Sequence, residues 1–220
     1  MFKQALAICK KDFNSELRTR YAVNALLMFI IVVISVIKFS LGEDKLSSEM
    51  NAGLLWIIIF FATSNGLSRV FVSEEERGTS LVLKLSSASN SVFLGKLIFN
   101  TVLTFIINFL IIFLYILITG LDIKNLGLFS FTIALGNLGL SAVMTIIAAL
   151  ISKASSKGTL YPVLSFPLLL PLLLAAISAT YLTIDGVPMA QIAGELQMKA
   201  SYTVVVITAS FLLFELVWND

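Results

Sequence analysis

The residues with the clearest chemical potential lie in one charged segment, Arg69 to Lys96, between strongly apolar blocks. It contains an acidic run and a turn sequence: Glu74, Glu75, Glu76, Arg77, Gly78 and Thr79. Glycine suits the left-handed position just past a helix end, and a threonine hydroxyl can cap the first N–H groups of the next helix. The segment therefore predicts one helix that ends at Gly78 and a second, short helix capped by Thr79.

The short helix predicted after Thr79 carries mostly aliphatic residues: Leu81, Val82, Leu83 and Leu85. Burying such a side chain is favourable by roughly 1.5–3 kcal/mol. A short helix with polar flanks and this many aliphatic residues needs a partner surface. We predict that 73–96 is a cytoplasmic loop that contacts another protein, and that it couples the two chains.

Several kinds of chemistry are excluded because the chain has no histidine and a single cysteine, Cys9. A catalytic triad with histidine or a His/Cys zinc site cannot be built from this chain alone, so we predict no catalytic residue and no metal site. Gly95-Lys96 lacks the earlier Gly and the following Ser or Thr of an ATP-binding loop. Any ATP-driven work therefore requires a second chain. We expect Cys9 to be a small apolar residue on a helix face.

The apolar blocks indicate an integral membrane protein. The hydrophobic fraction is 58% and the mean hydropathy is +0.99, against roughly 45–50% apolar residues in soluble domains. A spanning helix needs about 20 mostly apolar residues, and the 220 residues leave no room for a separate soluble domain. A net charge of only +2 gives no support to nucleic-acid binding.

We predict a single all-α transmembrane domain over 1–220 with six membrane-spanning helices. The predicted spans are approximately 21–41, 52–72, 97–119, 128–151, 160–182 and 201–218. With both termini in the cytoplasm, 11 of the 15 Lys and Arg residues lie inside and 4 lie outside. The positive-inside rule therefore favours this orientation.

Two segments outside the predicted spans have helical periodicity but too few apolar residues to cross a membrane. In residues 1–20 the apolar residues recur every three or four positions and lysines occupy the other face. This favours an amphipathic helix that lies on an anionic lipid surface, although a cytoplasmic continuation of the first span is the alternative. Residues 183–200 keep the same spacing, which predicts a short helix at the outer surface.

Polar residues within the predicted spans form two stripes. The third span aligns Thr101, Thr104 and Asn108, with Asn100 beside them, and the fourth aligns Asn137, Ser141 and Thr145. Such residues either bond neighbouring helices to each other or line a substrate path. Both interpretations remain open at this point.

The fifth span contains three of the four prolines in the chain, Pro162, Pro167 and Pro171. Each proline removes a backbone donor and disfavours a straight helix. The prolines predict either a fixed kink or a hinge that acts as a gate.

These features resemble the membrane subunits of ABC-2 exporters and, more narrowly, the CcmB family of bacterial cytochrome c maturation. The resemblance rests on residues 66–71, 74–79, 92–96, Asn100, 136–145, 161–171 and 210–215. It extends over nearly the whole chain, and the proline-rich block of the fifth span narrows it to this family. Ser87 is a departure, because such loops commonly carry proline there.

The resemblance implies a non-catalytic permease in the bacterial inner membrane that works with separate subunits. It implies two copies of this chain and two of an ABC ATPase subunit (CcmA-like) that binds ATP. A haem-handling membrane protein (CcmC-like) and a small one-span subunit (CcmD-like) join them. ATP hydrolysis then releases a haem-loaded periplasmic chaperone (CcmE-like).

The missing histidine also bears on haem. Its iron is usually held by His, Met, Cys or Tyr, which leaves Met28, Met144, Met189 and Tyr115 as formal ligands. Methionine and tyrosine in apolar spans are usually packing residues, so we expect haem to be held by a partner and no cofactor to bind here directly. Two alternatives are an ABC-2 permease that exports a lipid, glycan or drug, and an integral membrane scaffold or enzyme that works without an ATPase.

Overall fold

A computed structural model describes residues 1–18, 20–41, 46–152 and 157–219. All the regular secondary structure in these ranges is helical. The helices are α1 (Phe2–Arg18), α2 (Arg20–Leu41), α3 (Ser48–Leu67), α4 (Val72–Glu76), α5 (Ser80–Ser86), α6 (Ser89–Thr119), α7 (Leu126–Ile151), α8 (Lys157–Ile184) and α9 (Met189–Asn219).

Five segments of the described chain are long and apolar enough to cross a membrane. By length and composition they are Ser48–Glu76, Ser89–Thr119, Leu126–Ile151, Tyr161–Ile184 and Met189–Trp218. A shorter apolar helix covers Asn24–Ser40. The predicted all-α integral membrane protein is therefore confirmed in its class.

Helix α7 lies at the centre of the bundle, where most of its length is buried. Glycine permits its closest contact, because a Cβ atom on Gly136 would lie 2.3 Å from Cη2 of Trp56 on α3. The Trp56 Nε1–H group donates to Thr180 Oγ1 on α8 at 2.9 Å. One buried indole therefore joins three helices.

The connections between helices meet at two opposite ends of the bundle. At one end Ser48 donates to Asp185 at 2.5 Å, and the Lys124 N–H group donates to the Ile184 carbonyl at 3.2 Å. At the other end Arg77, between α4 and α5, donates to Ser15 of α1 at 3.0 Å. We name the second end, where α1, α4, α5 and the last turn of α9 meet, the α5 end.

Helix α6 begins at Ser89, eight residues before the predicted span 97–119, and its first turns are buried against α1. One predicted element was wrong. The predicted outer helix over 183–200 is not a separate element, since α9 runs without a break from Met189 to Asn219. Parts of the 42–51 gap and of the loop before the fifth span, 42–45 and 153–156, lie outside the described residues.

The amphipathic helix predicted over 1–20 is present as α1, but its buried face differs from the predicted apolar face. Ala5, Ile8, Cys9 and Asp12 are buried, whereas Phe2 is exposed. Cys9 is a buried free thiol, as expected. One face of α1 is therefore covered by protein and includes a carboxylate.

Candidate functional site

The predicted break between two short helices is confirmed at Gly78. Its φ is +65°, the left-handed region that glycine adopts without a Cβ clash, and it separates α4 from α5. The predicted cap was wrong. Thr79 precedes α5, but its side chain makes no capping hydrogen bond and instead donates to Glu74 Oε2 at 2.5 Å.

One side of helix α5 packs against the bundle, and the other side is exposed. Leu83 is buried, and the Lys84 ammonium lies 5.5 Å from the ring centroid of Trp218 at the end of α9. Leu81, Val82 and Leu85 are 67%, 65% and 87% exposed. We name these three side chains the α5 surface. It is an apolar patch on a helix at the bundle end, which is the arrangement expected of a contact site for another protein.

The acidic run does not form one continuous face. Glu76 is exposed and pairs with Arg69 at 3.2 Å, while Glu75 is half-buried and accepts from Ser80 at 3.2 Å. Arg77 is exposed. Glu74 is buried inside the chain. Of the three glutamates, only Glu75 and Glu76 are accessible to a partner.

Glu74 belongs to a group of four charged side chains, which we name the Lys96 cluster: Lys11, Asp12, Glu74 and Lys96. Asp12, Glu74 and Lys96 are buried, whereas the Lys11 side chain is 45% exposed. The Lys96 ammonium lies 3.0 Å from Asp12 Oδ2 and 3.0 Å from Glu74 Oε1, and it donates to the Val70 carbonyl at 2.9 Å. Lys11 also donates to Glu74 Oε1, and it pairs with Asp12 at 3.3 Å. The cluster joins α1, α4 and α6.

The cluster contains two ammonium groups and two carboxylates, so its charges balance. Burial alone would lower the pKa of Lys11, but the hydrogen bond to Glu74 and the negative charge of Asp12 raise it above its ordinary value. Removing one member would leave a buried charge without its partner, at a cost of about 3–5 kcal/mol. The cluster is therefore a strong attachment between α1 and the rest of the α5 end.

The two polar stripes pair with each other across α6 and α7. Asn100 donates to Thr145 at 2.8 Å, Thr101 bonds to Ser141 at 2.9 Å, and Asn108 donates to Asn137. Direct bonds between helices therefore account for most of the stripe residues. Thr104 is also buried between them, and its hydroxyl has no hydrogen-bond partner among the described residues.

The three prolines lie inside one continuous helix, α8, and do not divide it. The Tyr202 hydroxyl of α9 donates to the Leu168 carbonyl, between Pro167 and Pro171. This contact fastens the proline-rich part of α8 to α9. The choice between a fixed kink and a hinge stays open.

Two buried lysines were missed by sequence reasoning. Lys96 was assigned to the loop and Lys199 to the outer surface, but each is fully buried. Lys199 lies inside α9 and donates to the Thr132 carbonyl at 2.7 Å. No local signal in the sequence marked Lys96, although the structure places it directly after Gly95, where a Cβ atom would lie 2.7 Å from the Ala5 carbonyl oxygen.

The formal haem ligands occupy different places. Met144 is buried and its sulfur accepts from Ser64 at 3.7 Å, while the buried Tyr115 donates to Asn51 at 3.0 Å. Met28 and Met189 are exposed on α2 and α9. Among the described residues no group of three or more His, Cys, Asp or Glu side chains is arranged to hold a metal ion.

Together these features define a multi-pass helical membrane protein that presents a short apolar helix at one end of its bundle. The chain belongs to the CcmB family, because it matches the family described as CcmB protein over residues 3–214. It is also similar to the protein named Heme exporter protein B of Pseudomonas aeruginosa. The two are 26% identical over 184 residues, which cover 83% of this chain and 81% of that protein. The resemblance found in the sequence is confirmed.

Proposed function

We propose that this chain is the permease subunit of an ABC transporter for haem in cytochrome c maturation, and that a separate subunit hydrolyses ATP. The observation that carries the proposal is the α5 surface, an exposed apolar patch on a short helix between two long apolar helices. Membership of the CcmB family and the name of the Pseudomonas aeruginosa relative, Heme exporter protein B, support haem as the cargo.

We further propose six membrane crossings with both termini in the cytoplasm of a bacterium, and the inner membrane as the location. Helix α1 and the last turn of α9 lie at the same end of the bundle, which supports an even number of crossings. We assign the sixth crossing to α2, which contains the shorter apolar helix Asn24–Ser40 and lies in the chain between α1, at the α5 end, and Ser48, at the opposite end.

In the proposed mechanism, each of two copies inserts its α5 surface into a groove on one of two ATPase subunits (CcmA-like). ATP-driven closure of the ATPase pair moves α5, and the α3 and α6 helices that flank α4 and α5 follow. Such coupling needs an interface with two discrete arrangements rather than a catalytic residue. This chain supplies the contact and the moving helices, while the ATPase supplies the chemistry.

Haem itself is proposed to be held by partners: a haem-handling membrane protein (CcmC-like), a small one-span subunit (CcmD-like) and a haem chaperone (CcmE-like). Two of the formal ligands, Met144 and Tyr115, already make internal hydrogen bonds, which supports this division. Reconstituting the chain with its ATPase alone should give no stoichiometric low-spin haem absorbance. A Soret band that is abolished by changing one methionine or Tyr115 would refute the proposal that partners hold the haem. Recovery of the haem-handling protein with the complex separates this function from export of a lipid, glycan or drug.

The decisive experiment changes the α5 surface. Replacing Leu81 and Leu85 with Ala removes three carbons from each side chain, at about 0.8 kcal/mol per buried CH₂. Allowing for incomplete burial, ATPase affinity should fall on the order of 100-fold. Binding of the purified ATPase to the chain in nanodiscs measures this loss.

Leu126→Ala is the matched control, because Leu126 is a similarly exposed leucine at the opposite end of the bundle. It should leave ATPase binding unchanged. Equal affinity of the doubly substituted chain and the control would overturn the assignment of the α5 surface as the docking site.

A further inference from the structure

The α5 helix has only short covalent attachments to the rest of the chain. Residues 77–79 connect it to α4, and Ser87 and Ala88 connect it to α6. A seven-residue helix with such short connections can rotate while it is bound to a partner, without moving the long helices. Non-covalent contacts must therefore determine whether a displacement of α5 also displaces the long helices.

The Lys96 cluster supplies such contacts from the start of α5 inward. The Thr79 hydroxyl, directly before α5, donates to Glu74 Oε2, and the other Glu74 oxygen lies 3.0 Å from the Lys96 ammonium. Lys96 also contacts Asp12 and the Val70 carbonyl, so its three donors have three acceptors. The chain of bonds runs from α5 through α4 to both α6 and α1.

Helix α1 is packed along the beginning of α6 on both sides of Lys96. Ser91 donates to Gln4 at 3.2 Å, and the rings of Phe13 and Phe99 meet edge to face with centroids 4.9 Å apart. Gly95 allows the α1 backbone to approach. The 31 residues of α6 extend about 46 Å at 1.5 Å per residue, whereas the hydrocarbon core is about 30 Å thick. The first turns of α6 therefore have the length to stand clear of the hydrocarbon, together with α1.

We infer that Lys96 is a positioning residue that makes α1, α4 and the start of α6 move as one body, so that displacement of α5 by an ATPase reaches the membrane helices. The inference rests on the proposed function. It assigns α1 a part in coupling, in addition to contact with the lipid surface. Lys96 itself does not touch the ATPase, because it is fully buried.

The test separates docking from coupling with the variant Lys96→Met, which keeps the length of the side chain and removes its charge. ATPase binding should stay within about twofold, since the α5 surface is intact, whereas stimulation of ATP turnover should fall on the order of tenfold. Lys10→Met is the control, because Lys10 is an exposed α1 lysine outside the cluster. Glu74→Gln, which keeps size and loses charge, is a second route if Lys96→Met does not fold.

A second measurement needs no ATPase. Cys9 is the only cysteine and is buried on α1, so its rate of alkylation by a maleimide reports whether α1 stays attached. In Lys96→Met and in Glu74→Gln this rate should rise on the order of tenfold, and in Lys10→Met it should not change.

The outcomes are distinguishable. Unchanged stimulation in Lys96→Met, or a loss of stimulation that only follows a loss of binding, overturns the coupling role. An unchanged alkylation rate overturns the attachment of α1 through Lys96. If even the unaltered chain binds no ATPase, the proposed function fails and the coupling role fails with it, while the alkylation rates still decide whether Lys96 holds α1.

Discussion

The contact between α1 and α6 at Gly95 makes a quantitative prediction. A Cβ atom at this position would lie 2.7 Å from the Ala5 carbonyl oxygen and 2.9 Å from Ile8 Cβ. These atoms belong to the α1 backbone and to the stem of a β-branched side chain, so neither can rotate away. In Gly95→Ala the clash can be relieved only if α1 moves off α6.

The expected size of the effect follows from the cost of inserting a methyl group into a packed interface, about 1–3 kcal/mol. A cost of about 2 kcal/mol increases the population of detached α1 about 30-fold. The intrinsic helix preference of alanine, up to about 1 kcal/mol, acts on α6 alike whether α1 is attached or detached, so it does not change this equilibrium. Gly194→Ala is the control, because it makes the same substitution on α9, where nothing lies within 4 Å of a Cβ atom.

Cys9 provides the assay. Burial, and then the negative charge of Asp12, raise the pKa of the Cys9 thiol, so little reactive thiolate is present at neutral pH while α1 is attached. Detachment returns the pKa toward its ordinary value and exposes the sulfur, and both changes accelerate alkylation. Mass spectrometry of the maleimide adduct over time gives the rate. If the rates for Gly95→Ala and Gly194→Ala agree within about twofold, the reasoning is refuted.

Two further predictions concern the bundle. Gly136→Ala should lower the free energy of unfolding by about 2–5 kcal/mol, since the new Cβ atom would displace the ring of Trp56 and break the buried hydrogen bond of its indole. Thermal unfolding in detergent measures this loss. A melting temperature equal to that of Gly194→Ala would contradict the prediction. Asn108→Leu or Asn137→Leu alone should cost about 1–3 kcal/mol by leaving one buried amide unpaired, and the double variant should cost less than the sum. Additive losses would show that the two amides act separately, as expected for residues that line a path.

The features predicted correctly from the sequence are those with local causes. Apolar runs long enough to span predict helices whatever the rest of the chain does, because a membrane requires each segment to satisfy its own backbone. Gly78 follows the same logic, since the left-handed backbone at a helix end depends on one residue type. Of the four aliphatic residues that the sequence assigns to the partner contact on α5, Leu81, Val82 and Leu85 are exposed, but Leu83 is buried against the bundle, and the sequence did not predict this division.

The Lys96 cluster could not be predicted in this way, because its partners are distant in the chain. Asp12 is 84 positions away from Lys96 and Glu74 is 22 positions away. A charge next to an apolar run is ordinarily expected to reach water, and nothing local shows that a carboxylate will meet it instead. The same reason explains Thr79, whose hydroxyl bonds to the Glu74 carboxylate rather than to the helix that it precedes.

The paired and buried charges also test the orientation derived from counting lysine and arginine. Lys11 and Lys96 are matched by carboxylates in the cluster and Arg69 is matched by Glu76, so none of the three acts as a free positive charge at the membrane surface. Lys199, counted outside, is buried in α9. Leaving out those three from the 11 inner residues and Lys199 from the 4 outer residues gives 8 against 3. The positive excess remains at the α5 end, which supports placing the α5 surface on the side of the membrane where ATP is available.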